Sequence, residues 1–312
     1  MQVSTIPAIA SPVPVEQKPS KYRISTITFN GDLNAYIRGN IFYQHVSVLP
    51  VGSSDTGFVW VECWMNGTQH VRGIYPKKKK VSKRALKKQE EEKKDDETAS
   101  TSSKASTRSK SFDNQTSMYF QFNPGYMPHV KLFKNGNIHV TGLRCIEDGT
   151  RILEIMCKEV KRIFQECDKN VMVEEDIAKL SVSNPVVRLI NSDFELPFKI
   201  RRKELHQLLI SPPYNNICSF QPGTYPGVKL EYYWNKTHGI QDGCCRCGTP
   251  CFGKGTGKTK GDCKKVTVAI FDSGSVLITG ATSHPQVEDA YQYICKVILD
   301  NTQYLKKTIP IM

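Results

Sequence analysis

The chain has 312 residues, enough for one large or two small domains, and its net charge of +13 favours an anionic partner. It contains no apolar run near the roughly 20 residues of a membrane span, and its N-terminal composition does not predict a secretory signal. Eleven Cys without such a signal indicate a reducing compartment, with thiols that are free or bound to metal.

The first part of the chain alternates short periodic segments with polar ones. Its predicted elements are a Pro-rich disordered tail at 1–20, strands at 22–29, 57–64 and 112–122, and a helix at 32–46 interrupted by Gly39. The last of these strands leads into the first of two hairpins.

A strongly basic segment separates the strands at 57–64 and 112–122. Residues 76–111 hold 13 Lys and Arg and 6 Asp and Glu, a net charge of +7, so the remaining residues carry +6. The segment has too little apolar surface to offset the entropy of ordering it, so we expect a disordered loop. Residues 76–81, PKKKKV, resemble a nuclear import signal, and the alternative is a solvated lysine run.

The first hairpin is predicted at 129–144, HVKLFKNGNIHVTGLR. Period-two alternation places an aliphatic set on one strand face, namely Val130, Leu132, Ile138 and Val140. The opposite face holds Lys131, Phe133, His139 and Thr141, which suits either a solvated sheet face or a surface for nucleic acid. A helical pattern follows over residues 152–164.

The second half of the chain has a similar order. Residues 186–194 predict a strand, residues 200–210 an amphipathic helix and residues 227–234 another strand. After an insertion at 235–264, residues 266–282, VTVAIFDSGSVLITGAT, predict a second hairpin, and a helical pattern follows over 287–298. Both hairpins contain F-x-x-G-x-x-x-x-T-G, which indicates an internal repeat of hairpin and helix.

The insertion at 235–264 is rich in Cys and Gly. Cys244, Cys247, Cys251 and Cys263 could close a tetrahedral four-thiolate site, so we expect structural Zn²⁺; free thiols in a flexible loop are the alternative. Residues 253–259, GKGTGKT, do not form a phosphate-binding loop, because Phe252 occupies the required Gly position and no helix follows.

These motifs resemble the TATA-box-binding protein family, in a divergent form similar to those of large DNA viruses. The family's repeats end in a hairpin of the form I-F-x-S-G-K-x-V-x-T-G-A-K. Residues 270–274, IFDSG, and 279–281, TGA, match it closely, whereas the first hairpin matches less well. Tyr225-Pro226-Gly227 resembles the F-P-G of the family's second repeat.

The resemblance implies an α+β fold: a pseudo-symmetric two-repeat saddle in which a curved antiparallel sheet carries four main helices on its convex face. The first repeat would span 21–168 and the second 183–305, interrupted by the insertions at 76–111 and 235–264. The strand at 57–64 is either an addition to this plan or its second strand. The concave face would bind and bend promoter DNA through the minor groove.

The resemblance also assigns roles to individual residues. The wedges that unstack bases would be Phe271 and Tyr225 in the second repeat, and Phe133 and Phe112 in the first. Thr141 and Thr279 would touch base edges, Leu277 would line the groove floor, and Arg144 would bind phosphate. The expected DNA-binding set is Phe112, Lys131, Phe133, His139, Thr141, Arg144, Tyr225, Phe271, Leu277 and Thr279.

Some positions depart from the family pattern. The Asn that reads the groove near the start of each repeat is replaced by Tyr22 and Val187, and Ser275 and Thr282 replace Lys in the second hairpin. A preference for TATA sequences is therefore less strongly predicted than DNA bending.

The resemblance predicts general transcription factors and an RNA polymerase as partners, no membrane, and action in the host nucleus or a cytoplasmic viral factory. An interaction module with little DNA affinity is the second hypothesis, and a zinc-dependent nucleic-acid enzyme the third. No Ser/His/Asp set or paired carboxylates stand at a catalytic spacing, so we expect no enzyme.

Overall fold

The computed structural model describes residues 18–76, 115–122, 126–174, 176–249 and 251–307. The chain divides into two compact units: a first unit, Thr26–Leu189, and a second unit, Met1–Ser25 with Ile190–Met312. The predicted tail up to residue 17, the basic segment from residue 77 and Phe112 lie outside the described residues. In the described ranges, no helix is long and apolar enough to cross a membrane.

The sheet of the first unit has the strand order β3-β2-β4-β5-β6-β1, with antiparallel neighbours throughout. Its strands are β1 (Arg23–Asp32), β2 (Gly57–Met65), β3 (Thr68–Gly73), β4 (Gln115–Gln121), β5 (His129–Phe133) and β6 (Asn137–Leu143). The boundary between the units falls inside β1 and inside the later strand β7 (Ser183–Glu195).

Two helices cover one face of this sheet. Helix α1 spans Gly39–His45 and helix α2 spans Ile146–Arg162, continuing as a π-turn over Ile163–Cys167. Acidic residues in the first turn of α2 and basic residues in its last turn complement the helix dipole. A Cβ at Gly149 would lie 2.8 Å from Phe29 Cδ1, so the glycine permits the close packing of α2 on β1.

The second unit repeats this plan. Its strand order is β7-β11-β10-β9-β8, and the later strands are β8 (Ile217–Gln221), β9 (Tyr225–Trp234), β10 (Lys264–Ile270) and β11 (Ser275–Ala281). Its helices are α3 (Arg202–Ile210), α4 (His284–Asp300) and the short α5 (Thr302–Leu305). Pro285 in the first turn of α4 suits a position where a backbone N–H would lack a helical partner.

Each unit therefore runs through a strand, a short helix, further strands, a hairpin and a long helix. The predicted α+β class and its antiparallel strands are confirmed, with two main helices for each repeat. In both hairpins the predicted aliphatic faces are buried: Val130, Leu132, Ile138, Val140, Val268, Ile270, Val276 and Ile278.

Two details differ from the sequence-based expectations. The predicted helix at 32–46 begins only at Gly39, because Asn34 adopts a positive φ of 53° and the Ile37 N–H donates to the Lys134 carbonyl instead of forming a helical turn. The strand predicted at 57–64 pairs with β4, so it is the second strand of the plan, and the addition is the exposed edge strand β3.

Candidate nucleic-acid interface and cysteine cluster

The strand face opposite the helices in the first unit carries the predicted polar and aromatic residues. Lys131 lies directly opposite His139 across the hairpin, and His129 lies opposite Thr141. These side chains and Phe133 are partly exposed, whereas the aliphatic residues between them are buried. The hairpin thus brings four predicted site residues together on one face: Lys131, Phe133, His139 and Thr141.

This face contains an open depression of about 890 Å³. Its lining includes Asn30, Gln115, Lys131, Phe133, His139 and Arg188. Gln115 lies opposite Phe133 in the β4–β5 pair, close to the end of the described part of β4. The depression combines cations, carboxamides and one aromatic ring, and among the described residues Asp32 alone adds a carboxylate to its lining.

In the second unit, Tyr225 and Phe271 lie side by side on the corresponding face. Their ring centroids are 5.7 Å apart, at an interplanar angle of 56°. A Cβ at Gly227 would lie 2.8 Å from Tyr225 Cε1 and 3.2 Å from Phe271 Cε1, so the glycine lets both rings rest against the backbone. Lys229 Nζ lies 3.9 Å from the centroid of the Tyr225 ring, a cation–π distance.

The other predicted residues of the second hairpin also lie on this face. Leu277 lies opposite Ala269, and Thr279 lies opposite Thr267. Both Leu277 and Thr279 are partly exposed, while their neighbour Ile278 is fully buried. The face therefore presents an apolar centre with hydroxyl groups beside it.

Arg144 lies at the other end of the first hairpin, just before α2. Its guanidinium carbon is 4.8 Å from the centroid of the Tyr126 ring, and its backbone N–H donates to Tyr126 Oη over 2.7 Å. Burial raises the pKa of Tyr126 to about 12, so this hydroxyl stays protonated at neutral pH. Arg144 is exposed, so its guanidinium is accessible to an anion.

Four thiols of the insertion form a compact cluster, but its membership differs from the predicted one. The Sγ atoms of Cys245, Cys247, Cys251 and Cys263 all lie within 4.8 Å of one another. Cys244 is not a member, because its Sγ contacts the Tyr214 carbonyl oxygen at 3.3 Å and Asn216 Nδ2 at 3.4 Å. Cys245 takes its place in the cluster, so the choice of Cys244 over Cys245 was wrong.

The pKa values of the clustered thiols shift in different directions. Burial opposes ionisation of Cys251, but the N–H groups of Gly253 and Cys263 outweigh it and lower the pKa of this thiol. Burial raises the pKa of Cys263, whose Sγ lies 3.5 Å from Cys247 Sγ and 4.0 Å from Cys245 Sγ. A cation among the four sulfurs would favour their deprotonated form.

Comparison with known proteins finds a sequence match within the second unit. Residues 258–301, which include the second hairpin and α4, match the family model described as "Transcription factor TFIID (or TATA-binding protein, TBP)". Over 223 residues the chain is 28% identical to a "TATA-box-binding protein-like" protein of Acanthamoeba polyphaga mimivirus. The resemblance to the TATA-box-binding protein family is confirmed.

The viral alignment covers 66% of this chain and 52% of the relative, so the chain spans about half the length of that TATA-box-binding protein-like protein. Among solved structures, Methanococcus jannaschii TBP is similar with a TM-score of 0.43 and 12% sequence identity, over 90% of this chain and 99% of that one.

Several residues of these two strand faces were not predicted from the sequence. Asn30 on β1 and Arg188 on β7 line the depression of the first unit, and Lys229 on β9 contacts Tyr225. Asn30 could have been found, because it directly follows the strand predicted at 22–29 and alternates with the buried Phe29 once the strand is extended. Arg188 gave no such signal, since the start of β7 is largely exposed on both faces.

Tyr119 and His129 add a stacked pair to the same face of the first unit. Their ring centroids are 4.9 Å apart, with an interplanar angle of 29°. Burial lowers the pKa of His129 to about 4, and the nearby Lys131 cation contributes in the same direction. The imidazole is therefore neutral at physiological pH.

This burial predicts a pH-dependent stability. In the unfolded chain the His129 pKa is near 6.5, so as the pH falls the unfolded state binds this proton first and gains stability relative to the folded state. The free energy of unfolding should decrease between about pH 6.5 and pH 4, and His129→Gln should reduce that decrease. Urea unfolding of the wild type and of His129→Gln at pH 7 and pH 5 measures this decrease in the free energy of unfolding. An equal decrease in the two proteins would contradict its assignment to His129.

Proposed function

We propose that the chain is a DNA-binding transcription initiation factor that binds and bends double-stranded promoter DNA through the minor groove. The observation that carries the proposal is the Tyr225–Phe271 pair, two aromatic rings side by side on the strand face that the helices leave open. The similarity to a viral protein named TATA-box-binding protein-like supports it.

The aromatic rings would act as wedges. Tyr225 and Phe271 in the second unit and Phe133 in the first would partly unstack base steps and replace base stacking with aromatic contact. Unstacking costs a few kcal/mol per step, and pyrimidine–purine steps resist it least. Sequence preference would then arise partly from the deformability of the DNA.

The polar groups beside the wedges would fix the position of the duplex. Lys131, Arg144 and Lys229 supply positive charge for phosphates, and Thr141 and Thr279 supply hydroxyl groups for base edges. None of these roles requires bond making or breaking, so the proposal is a binding factor and not an enzyme.

The helical faces and the insertion would bind general transcription factors and an RNA polymerase, in the host nucleus or a cytoplasmic viral factory. A specific observation also favours the alternative of an interaction module. Phe252 is 75% exposed and Ile240 is 60% exposed, and both lie in the insertion outside the strands. Each of these side chains would supply an apolar contact to a partner protein.

Selection of bound duplexes from a random pool, followed by a bending assay, tests the proposed function. A minor-groove binder should retain a subset of sequences and bend them. If the protein retains no duplex above background at low salt, the interaction module becomes the better hypothesis.

The wedge role predicts a specific mutant phenotype. Phe271→Ala and Phe133→Ala should weaken binding to selected DNA and reduce its bend, with little change in melting temperature, because both rings are partly exposed in the free protein. Ile270→Ala is the matched control: Ile270 precedes Phe271 but faces the core, so its truncation should cost about 2–5 kcal/mol of stability.

Gel-shift titration, a bending assay and thermal melting on the three variants make the comparison. If Phe271→Ala and Phe133→Ala lose as much stability as Ile270→Ala while bending DNA normally, both Phe are core residues and the wedge role is wrong.

We further propose that the four-cysteine cluster holds a structural Zn²⁺ ion. In a tetrahedral site with Zn–S bonds of about 2.3 Å, the sulfurs lie about 3.8 Å apart. The separations of 3.5 Å and 4.0 Å from Cys263 Sγ to Cys247 Sγ and Cys245 Sγ are close to this value. Cys245, Cys247, Cys251 and Cys263 would hold the ion, which would fix the insertion between β9 and β10.

The metal proposal distinguishes two adjacent cysteines. Protein purified without chelator should contain about one Zn²⁺ per chain by elemental analysis, Cys245→Ser should lose most of it, and Cys244→Ser should keep it. Chelation should leave the strands folded, because the aliphatic core lies outside the insertion. Absence of zinc, or its retention by Cys245→Ser with loss in Cys244→Ser, would contradict the proposed ligand set.

A further inference from the structure

The two hairpins differ at one equivalent position in the middle of their open faces. His139 and Leu277 each follow the hairpin glycine by three residues, Gly136 in the first unit and Gly274 in the second. The resemblance assigns Leu277 to an apolar groove floor, but the first unit has an imidazole there. Its strand partner is Asn30, whereas the partner of Leu277 is Asp193.

His139 and Asn30 form a hydrogen bond that defines the tautomer of the ring. His139 Nδ1 lies 2.7 Å from Asn30 Oδ1. A carboxamide oxygen only accepts hydrogen bonds, so Nδ1 carries the proton and donates. In a neutral ring this leaves Nε2 with a free lone pair, which makes it a hydrogen-bond acceptor.

The surroundings keep the ring neutral. Burial, together with the cations of Lys131 and Arg188, lowers the pKa of His139. Both cations and the imidazole line the same open depression, whose other polar side chains in the described part of the chain are carboxamides and the Asp32 carboxylate. The first unit therefore offers Nε2 of His139 as an acceptor on a face that also carries two cations and several carboxamides.

An acceptor has a single kind of partner in the minor groove. An A·T pair presents only acceptors there, adenine N3 and thymine O2, while a G·C pair adds one donor, the guanine N2 amino group. We infer that His139 Nε2 accepts a hydrogen bond from a guanine N2 amino group, so that the part of the site bound by the first unit contains a G·C pair. The inference rests on the proposed function.

The two hairpin faces should therefore differ in whether they accept a G·C pair. The amino group of guanine projects into the minor groove and needs a polar partner, which His139 supplies in the first unit. In the second unit Leu277 supplies none, and the Asp193 carboxylate opposite it is paired with Arg23. The preferred site should thus be asymmetric, with a G·C pair on one side only.

Replacement of guanine by inosine tests this directly. Inosine pairs with cytosine and keeps the major-groove edge of guanine but lacks the N2 amino group. Duplexes selected from a random pool would be resynthesised with inosine at each guanine in turn. One position should weaken wild-type binding about tenfold, since one lost hydrogen bond is worth about that factor.

Two variants assign the effect to the His139–Asn30 pair. His139→Leu, which copies the residue of the second hairpin, should bind guanine and inosine duplexes equally. Asn30→Ala should reduce the discrimination, because Nδ1 loses the acceptor that holds its proton. Glu154→Ala, at an exposed position of α2 away from the strand face, should discriminate as the wild type does. Melting curves establish that each variant is folded.

The outcomes separate this inference from the proposed function. If the wild-type protein retains no duplex, the proposed function fails and the inference fails with it. If it retains and bends duplexes but the selected sites lack a G·C pair, or inosine leaves the affinity unchanged, the proposed function stands and the inference is overturned. Equal inosine sensitivity in wild type and His139→Leu also overturns it.

Discussion

The period-two alternation of antiparallel strands is the constraint on which the rest of the structure depends. In each hairpin the aliphatic side chains lie on one face, where a long helix buries them, so every second residue must lie on the other face. The residues on that face can therefore be substituted without loss of core packing, because a separate set of side chains fills the core. A one-residue shift in register would exchange the two sets.

The open faces of the two units carry different side chains. The second unit places Tyr225, Phe271 and Leu277 on its open face, with apolar contacts that suit deformed base steps. The first unit places Phe133 beside Lys131 and His139, with carboxamides around them. The two faces therefore share one backbone plan but present different chemistry.

The sequence was sufficient for the hairpins, because eight buried aliphatic residues follow a strict alternation in two copies. It did not reveal β3, whose polar residues are held mainly through backbone pairing, or the late start of α1, which depends on the tertiary hydrogen bond from Ile37. A four-cysteine cluster was predicted, and three of its members were correct, but Cys245 was not among them. Spacing cannot decide between Cys244 and Cys245, since the loop conformation determines which sulfur faces the others.

Lysine footprinting tests most directly the claim that the strand faces opposite the helices bind DNA. Lys131 and Lys229 lie on those faces, whereas Lys158 on α2 and Lys296 on α4 are exposed on the helices. Acetylation of the protein with and without bound duplex, read by mass spectrometry, compares the four amines in one experiment. Our account predicts that DNA protects Lys131 and Lys229 and leaves Lys158 and Lys296 reactive. Protection of the helix lysines with full reactivity at Lys131 and Lys229 would contradict it.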